Sequence, residues 1–77
     1  MTMQIVARVD ARGLACPMPI VRTAMQMKLM QPGELLEVLA TDPGSTRDFV
    51  AWATSTGNTL VEQHAEDGVY RFLVRRT

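Results

Sequence analysis

Gly13-Leu14-Ala15-Cys16-Pro17-Met18-Pro19 is the joint on which the reading of this 77-residue chain turns. Upstream, residues 3–9 alternate, Met3, Ile5, Ala7 and Val9 against Gln4, Val6 and Arg8. A period of two predicts a strand. Downstream, Ile20, Ala24, Met27 and Met30 recur at spacings of four, three and three, with Arg22, Gln26 and Lys28 largely off that line. This stripe predicts a helix from Pro17 to about Gln31. Residues 10–15 read as a loop, where Gly13 supplies the freedom a sharp turn needs.

The same reading extends along the chain. Pro32-Gly33 stops the first helix, and residues 34–41 (ELLEVLAT) are apolar enough for a central strand. Asp42-Pro43 opens a second helix, with Asp42 as N-cap and Pro43 at the first helical position. In that helix Phe49, Val50 and Ala53 are expected to face inward, Trp52 to lie to one side, and Gly57 to close the element. Residues 59–65 and 69–75 read as strands joined across Glu66-Asp67-Gly68, and the Asp-Gly pair makes them a hairpin. The order βαβαββ, with short connections and right-handed crossovers, predicts an α/β (α+β) two-layer sandwich: a four-stranded mixed sheet with both helices on one face. Residues 1–77 are expected to form a single domain. Cys16 then stands just past the C-terminal end of the first strand, where such folds usually keep their chemistry.

Composition narrows the function classes. Eight basic and eight acidic residues give zero formal charge, so there is no global field for nucleic acid or an anionic membrane. Arg71, Arg75 and Arg76 form the one local bias, read as a solvated strand end or else as a docking patch for an acidic partner. A single cysteine builds no disulfide framework and points to a reducing compartment. The start Met1-Thr2-Met3-Gln4 lacks signal-peptide character, and no apolar run reaches membrane-spanning length. The expectation is a cytoplasmic monomer without a membrane or direct nucleic-acid partner.

Cys16 carries the candidate chemistry. A helix N-terminus stabilises a thiolate by roughly 0.3–1 kcal/mol at an exposed site, which predicts a mixed thiol and thiolate population at neutral pH. With Cys16 as the helix cap, Pro17 and Pro19 lack N–H groups and the Met18 N–H is free to point at the sulfur; Met18 is the alternative cap, because a residue before proline avoids helical angles. Arg12, Arg22 and Arg47 are the guanidiniums that the expected layout brings near. A buried, inert cysteine is the competing reading. A disulfide reductase wants Cys-x-x-Cys, and this chain has no second thiol. His64, the only histidine, lies far along the chain, which disfavours both a metal site and a Cys-His pair. No cofactor is implied. What remains is a sulfur that accepts a group and hands it on, or a structural or redox-sensing cysteine in a non-enzymatic interaction module.

Residues 10–19 (DARGLACPMP) closely resemble the signature of the TusA/SirA family of small sulfur carriers. So do Pro32-Gly33, Asp42-Pro43-Gly44, Arg47-Asp48, and Trp52 near Gly57. The resemblance implies a persulfide relay. A donor such as a cysteine desulfurase or rhodanese-like protein passes sulfane sulfur to Cys16, which delivers it to an acceptor protein. That relay would serve tRNA thiolation, molybdenum cofactor supply or sulfur oxidation. By position, the resemblance makes Cys16 the carrier, gives Gly13, Leu14, Pro17 and Pro19 the shaping of its loop, and puts Arg22, Asp42 and Asp48 on the surrounding surface. Some members carry glutamate between the two prolines. Here Met18 stands there instead of a carboxylate, to be read either as an apolar docking contact or as a plain surface methionine.

Overall fold

The computed structural model describes residues 4–77. Its elements run β1 (Ile5–Ala11), α1 (Met18–Met27), β2 (Leu35–Ala40), α2 (Ser45–Thr56), β3 (Thr59–Glu66) and β4 (Val69–Arg75). The sheet order is β1-β2-β4-β3; β1 and β2 pair in parallel, and β4 runs antiparallel to both β2 and β3. This is the expected four-stranded mixed sheet with two helices. Alternation sorts its two faces: Val9 and Ala11, Leu36, Val38 and Ala40, and Phe72 and Val74 meet Met27, Met30 and Phe49 from the helices in one core. Phe49 stacks on Phe72 with centroids 4.4 Å apart and takes Trp52 edge-on at 6.1 Å.

Several boundaries and faces differ from the sequence reading, each for a physical reason. Met3 lies outside the described residues. β1 continues through Asp10 and Ala11, expected to be loop, because the parallel ladder pairs them with Leu39 and Ala40. Near the other end an irregularity between Ile5 and Ala7 breaks the register, and Ile5 is exposed. The buried line of α1 is Pro19, Thr23 and Met27, with Ile20 and Ala24 only half-buried. The buried line therefore keeps Met27 and Met30 as expected and shifts by one residue only in its first half, from Ile20 and Ala24 to Pro19 and Thr23. Thr23 fits the core because its hydroxyl donates to the Pro19 carbonyl at 2.8 Å. In α2, Val50 is exposed while Ser45, Phe49 and Ala53 are buried. That helix starts at Ser45, two residues after Pro43, since Pro43 and Gly44 form a turn closed by the Ser45 N–H to Asp42 carbonyl bond (3.0 Å). The hairpin turn Asp67-Gly68 has positive φ at both residues, 52° and 78°, as a two-residue type I′ turn requires.

α1 closes earlier than expected, at Met27, with tightened bonds from Leu29 N–H to Gln26 O (3.0 Å) and Met30 N–H to Met27 O (3.1 Å). Arg76 completes this end. Its Nη1 donates to the Met27 carbonyl at 2.7 Å and also to the Met30 carbonyl. The terminal arginines are thus not a loose cationic patch: Arg76 supports α1, and Arg71 belongs to the other face of the sheet. There Glu37 is only 6% exposed because two arginine side chains reach over it. Arg71 Nε and Arg8 Nε each approach one of its oxygens at 2.5 Å, and Arg71 Nη1 reaches on to Glu62 at 3.4 Å. The ladder links all four strands across the face that lacks helices.

Arg71 first, then Arg8, holds the Glu37 carboxyl below its usual range. The folded value lies below the unfolded one, so this contribution is complete above the unfolded pKa and disappears as pH falls through the folded pKa. Glu37→Gln is expected to cost about 1–2 kcal/mol at pH 7, discounted because Arg8 is largely exposed. Urea titrations at several pH values should show the gap from wild type closing below about pH 4. Arg76→Ala is expected to cost a similar amount, about 1–2 kcal/mol by urea titration at pH 7, through two uncapped carbonyls.

Candidate functional site

The parallel pairing of β1 with β2 sets their C-terminal ends side by side, and two loops leave from there. Residues 12–17 lead into α1 and residues 41–44 lead into α2. The first loop turns at Gly13, whose φ of 80° a side chain would resist. Its N–H donates to Thr41 Oγ1 at 2.9 Å, which ties the two loops together. Leu14 donates back to the Ala11 carbonyl at 3.2 Å and packs half-buried against the core. Thr41 was not singled out from the sequence. Its only signal there is a hydroxyl placed between an apolar strand and Asp42-Pro43.

Cys16 is a free, exposed thiol at the crest of the first loop. Its peptide bond to Pro17 is cis. Pro17 is the N-cap of α1, Met18 its first residue and Pro19 its second; no side chain caps this end. The Met18 N–H does not point at the sulfur but donates to the Ala15 carbonyl at 2.9 Å. With prolines at two of its first three positions, this helix end presents few N–H groups to a thiolate.

The second loop supplies carboxylates instead. Asp42 Oδ2 accepts the Gly44 N–H at 3.0 Å, and Asp48 lies one turn into α2 with its own N–H on the Gly44 carbonyl (3.0 Å). Gly44 lets the two acids converge: a Cβ there would stand 3.1 Å from Asp42 Oδ2 and 3.6 Å from Asp48 Oδ2. Both reach Cys16 electrostatically. The Asp48 carboxylate is the larger influence. Partial desolvation and the charges of Asp48 and Asp42 add to it, and together they push the thiol pKa up.

That overturns the expected lowering by a helix terminus and a guanidinium. Arg12 is turned away into a two-pronged pair with Asp10 at 2.9 and 2.8 Å, which holds the Asp10 pKa at about 2. Arg22 lines a groove between α1 and β1, and Arg47 lies over the start of α2 beside Pro43 and Thr46. None of the three is among the groups that shift the thiol. Met18 is exposed at the edge of the cysteine loop. His64 sits on β3, at the opposite sheet edge from β1, with Nε2 3.5 Å from Glu66. Among the described residues no group of three or more His, Cys, Asp or Glu side chains could hold a metal ion, and no helix is long and apolar enough to cross a membrane.

Known proteins resemble this chain in sequence and in fold. The family model described as Sulfurtransferase TusA matches residues 7–76. The chain is 52% identical over 67 residues to the putative sulfur carrier protein YrkF of Bacillus subtilis, covering 87% of this chain but 36% of that protein. It is 47% identical over 68 residues to the sulfur carrier protein TusA of Allochromatium vinosum, covering 88% of this chain and 90% of that one. Among solved structures, the SirA-like protein of Desulfitobacterium hafniense superposes with a TM-score of 0.80 at 25% identity, over 91% of this chain and 96% of that one. A match that runs through both loops of the site and all six elements leaves one conclusion: this chain belongs to the TusA sulfurtransferase family.

Proposed function

We propose that this protein is a sulfur carrier: Cys16 accepts sulfane sulfur as a persulfide and passes it to an acceptor protein. The observation that carries the reading is the lone, exposed thiol on a proline-flanked corner at the C-terminal ends of two parallel strands. In loading, the Cys16 thiolate attacks the terminal sulfur of a donor persulfide R–S–SH. The new S–S bond forms as the old one breaks, and the donor thiolate R–S⁻ leaves as Cys16–S–SH forms. In delivery, an acceptor thiolate attacks the outer sulfur and Cys16 leaves as thiolate. No net oxidation occurs in either step. The absence of a second cysteine in the chain suits this role, since an internal thiol would resolve the persulfide as a disulfide and discard the cargo. Donors of the cysteine desulfurase or rhodanese type, an acceptor relay protein and a cytoplasmic, reducing location complete the reading. In this reading residues 1–77 act as a single sulfur-carrier domain.

The carboxylate beside the sulfur bears on both steps. A raised thiol pKa lowers the thiolate fraction at neutral pH, raises the nucleophilicity of each thiolate, and makes Cys16 a slower leaving group. The last effect favours retention of the cargo against stray small thiols. Asp48 thus acts as a holding group for the loaded state.

Incubation with inorganic polysulfide should add about 32 Da to the protein, removable by reductant. Cys16→Ser should show no adduct by intact-mass spectrometry; an unmodified wild type would sink the reading. Asp48→Asn should move the pH profile of Cys16 alkylation to lower pH and raise the rate at pH 7. The loaded variant should also lose its sulfur to glutathione faster than wild type, followed by the same mass measurement.

A further inference from the structure

A surface helix normally turns charged residues outward. α1 does the reverse along one line. Met18, Val21 and Met25, with Leu29 in the turn that follows, are all exposed, Met25 by 63% and Leu29 by 78%. Met25 stands two residues from both Thr23 and Met27, about 200° around the helix, so this ridge lies opposite the buried line. Nothing in the fold needs an apolar surface there. The ridge borders an open groove of about 630 Å³ between α1 and β1, to which Arg8, Arg22 and Lys28 contribute cations and Asp10 the one acid. Asp10 is already paired with Arg12, and Arg8 Nε with Glu37. Arg22 and Lys28 make no ion pair among the described residues. The uncompensated charge of the groove is positive.

We propose that this ridge and groove are the surface on which the sulfur-exchanging protein docks, and that the partner presents an apolar helix face flanked by carboxylates. The proposal rests on the carrier reading, for a reason of geometry. A partner whose sulfur comes within bonding distance of Cys16 must cover Met18, two residues away, and Met18 is the first residue of the ridge. Apolar contact from Met18 to Leu29 then continues the same interface without a break. Two of the four ridge residues are methionines, whose unbranched side chains adapt to more than one surface, as a carrier with separate donor and acceptor requires. Charge fixes the orientation. Asp42 and Asp48 put negative charge beside the thiol, while Arg22, one turn into α1, and Lys28, just past its end, put positive charge along the groove. The matching partner therefore has cations beside its reacting sulfur and carboxylates further off, and the reverse orientation sets like charges against each other.

The test separates this surface from the reacting sulfur. Wild type, Met25→Gln/Leu29→Gln and Lys28→Glu are each loaded from inorganic polysulfide. They are then loaded from a cysteine desulfurase and from a rhodanese-type protein charged with ³⁵S, with folding checked by circular dichroism. The proposal expects equal polysulfide loading for all three. It expects kcat/KM for protein-borne sulfur to fall about tenfold or more in the double variant. For Lys28→Glu a smaller fall is expected, together with loss of the wild type's salt dependence. Unchanged transfer from both proteins overturns it. So does a wild type that loads from polysulfide but from neither protein, or an equal loss of polysulfide loading in the variants. Sedimentation showing a wild-type dimer that the double variant abolishes, with transfer intact, overturns it in favour of a second copy of this chain on the ridge. Failure of wild type to load from polysulfide at all strikes the carrier reading instead.

Discussion

The parallel pairing of β1 with β2, carried to Ala11 opposite Ala40, is the constraint on which the site depends. Two strands that end together launch their loops from neighbouring points, and a parallel pair can only be joined through a crossover that returns to the same edge. The cysteine loop and the Asp42-Gly44 loop therefore meet, and the Gly13 to Thr41 bond holds them in register. Without that ladder, residues more than twenty-five positions apart in the chain would have no reason to share an electrostatic field. The core serves this pairing: Ala11 and Ala40 are both fully buried, small enough for α1 and α2 to close over the strand ends.

The electrostatics at the thiol show how local and tertiary effects compete. A helix entrance is positive in general, but its strength resides in the N–H groups that are left unpaired there. At this entrance two positions are prolines and a third donor is turned back to Ala15. Against that weakened dipole stand two full carboxylate charges, Asp42 from the second loop and Asp48 from α2, and they push the thiol pKa up.

The two faces of the sheet divide the work. One is covered by helices and holds the aromatic cluster of Phe49, Phe72 and Trp52. The other has no helices, yet Glu37 at its centre is hidden under Arg71 and Arg8, a charge ladder that fills the role of a second layer at low apolar cost. Cys16 is exposed just past the C-terminal end of β1, so neither the ladder nor the hairpin has to move for it to be reached.

Much of the fold was legible because its signals are local. Period-two alternation marked β1, the apolar run marked β2, and Asp67-Gly68 marked the hairpin. Legibility failed where a residue acts against its usual type: Pro19 and Thr23 are core, so the first half of the buried line of α1 was displaced, and Val50, apolar but exposed, was placed inside. The resemblance in residues 10–19 and at Asp42 and Asp48 pointed to a sulfur site, but no spacing rule states which charge lies next to a thiol. By itself, then, the sequence determined the element order, the single thiol and the corner it stands on, since each follows from neighbours within a few residues. Only the tertiary structure decided that Asp48 rather than an arginine faces Cys16 and that α1 turns apolar side chains outward. Coulomb interactions and burial depend on distance through space, and that distance exists only once the two loops have been brought together.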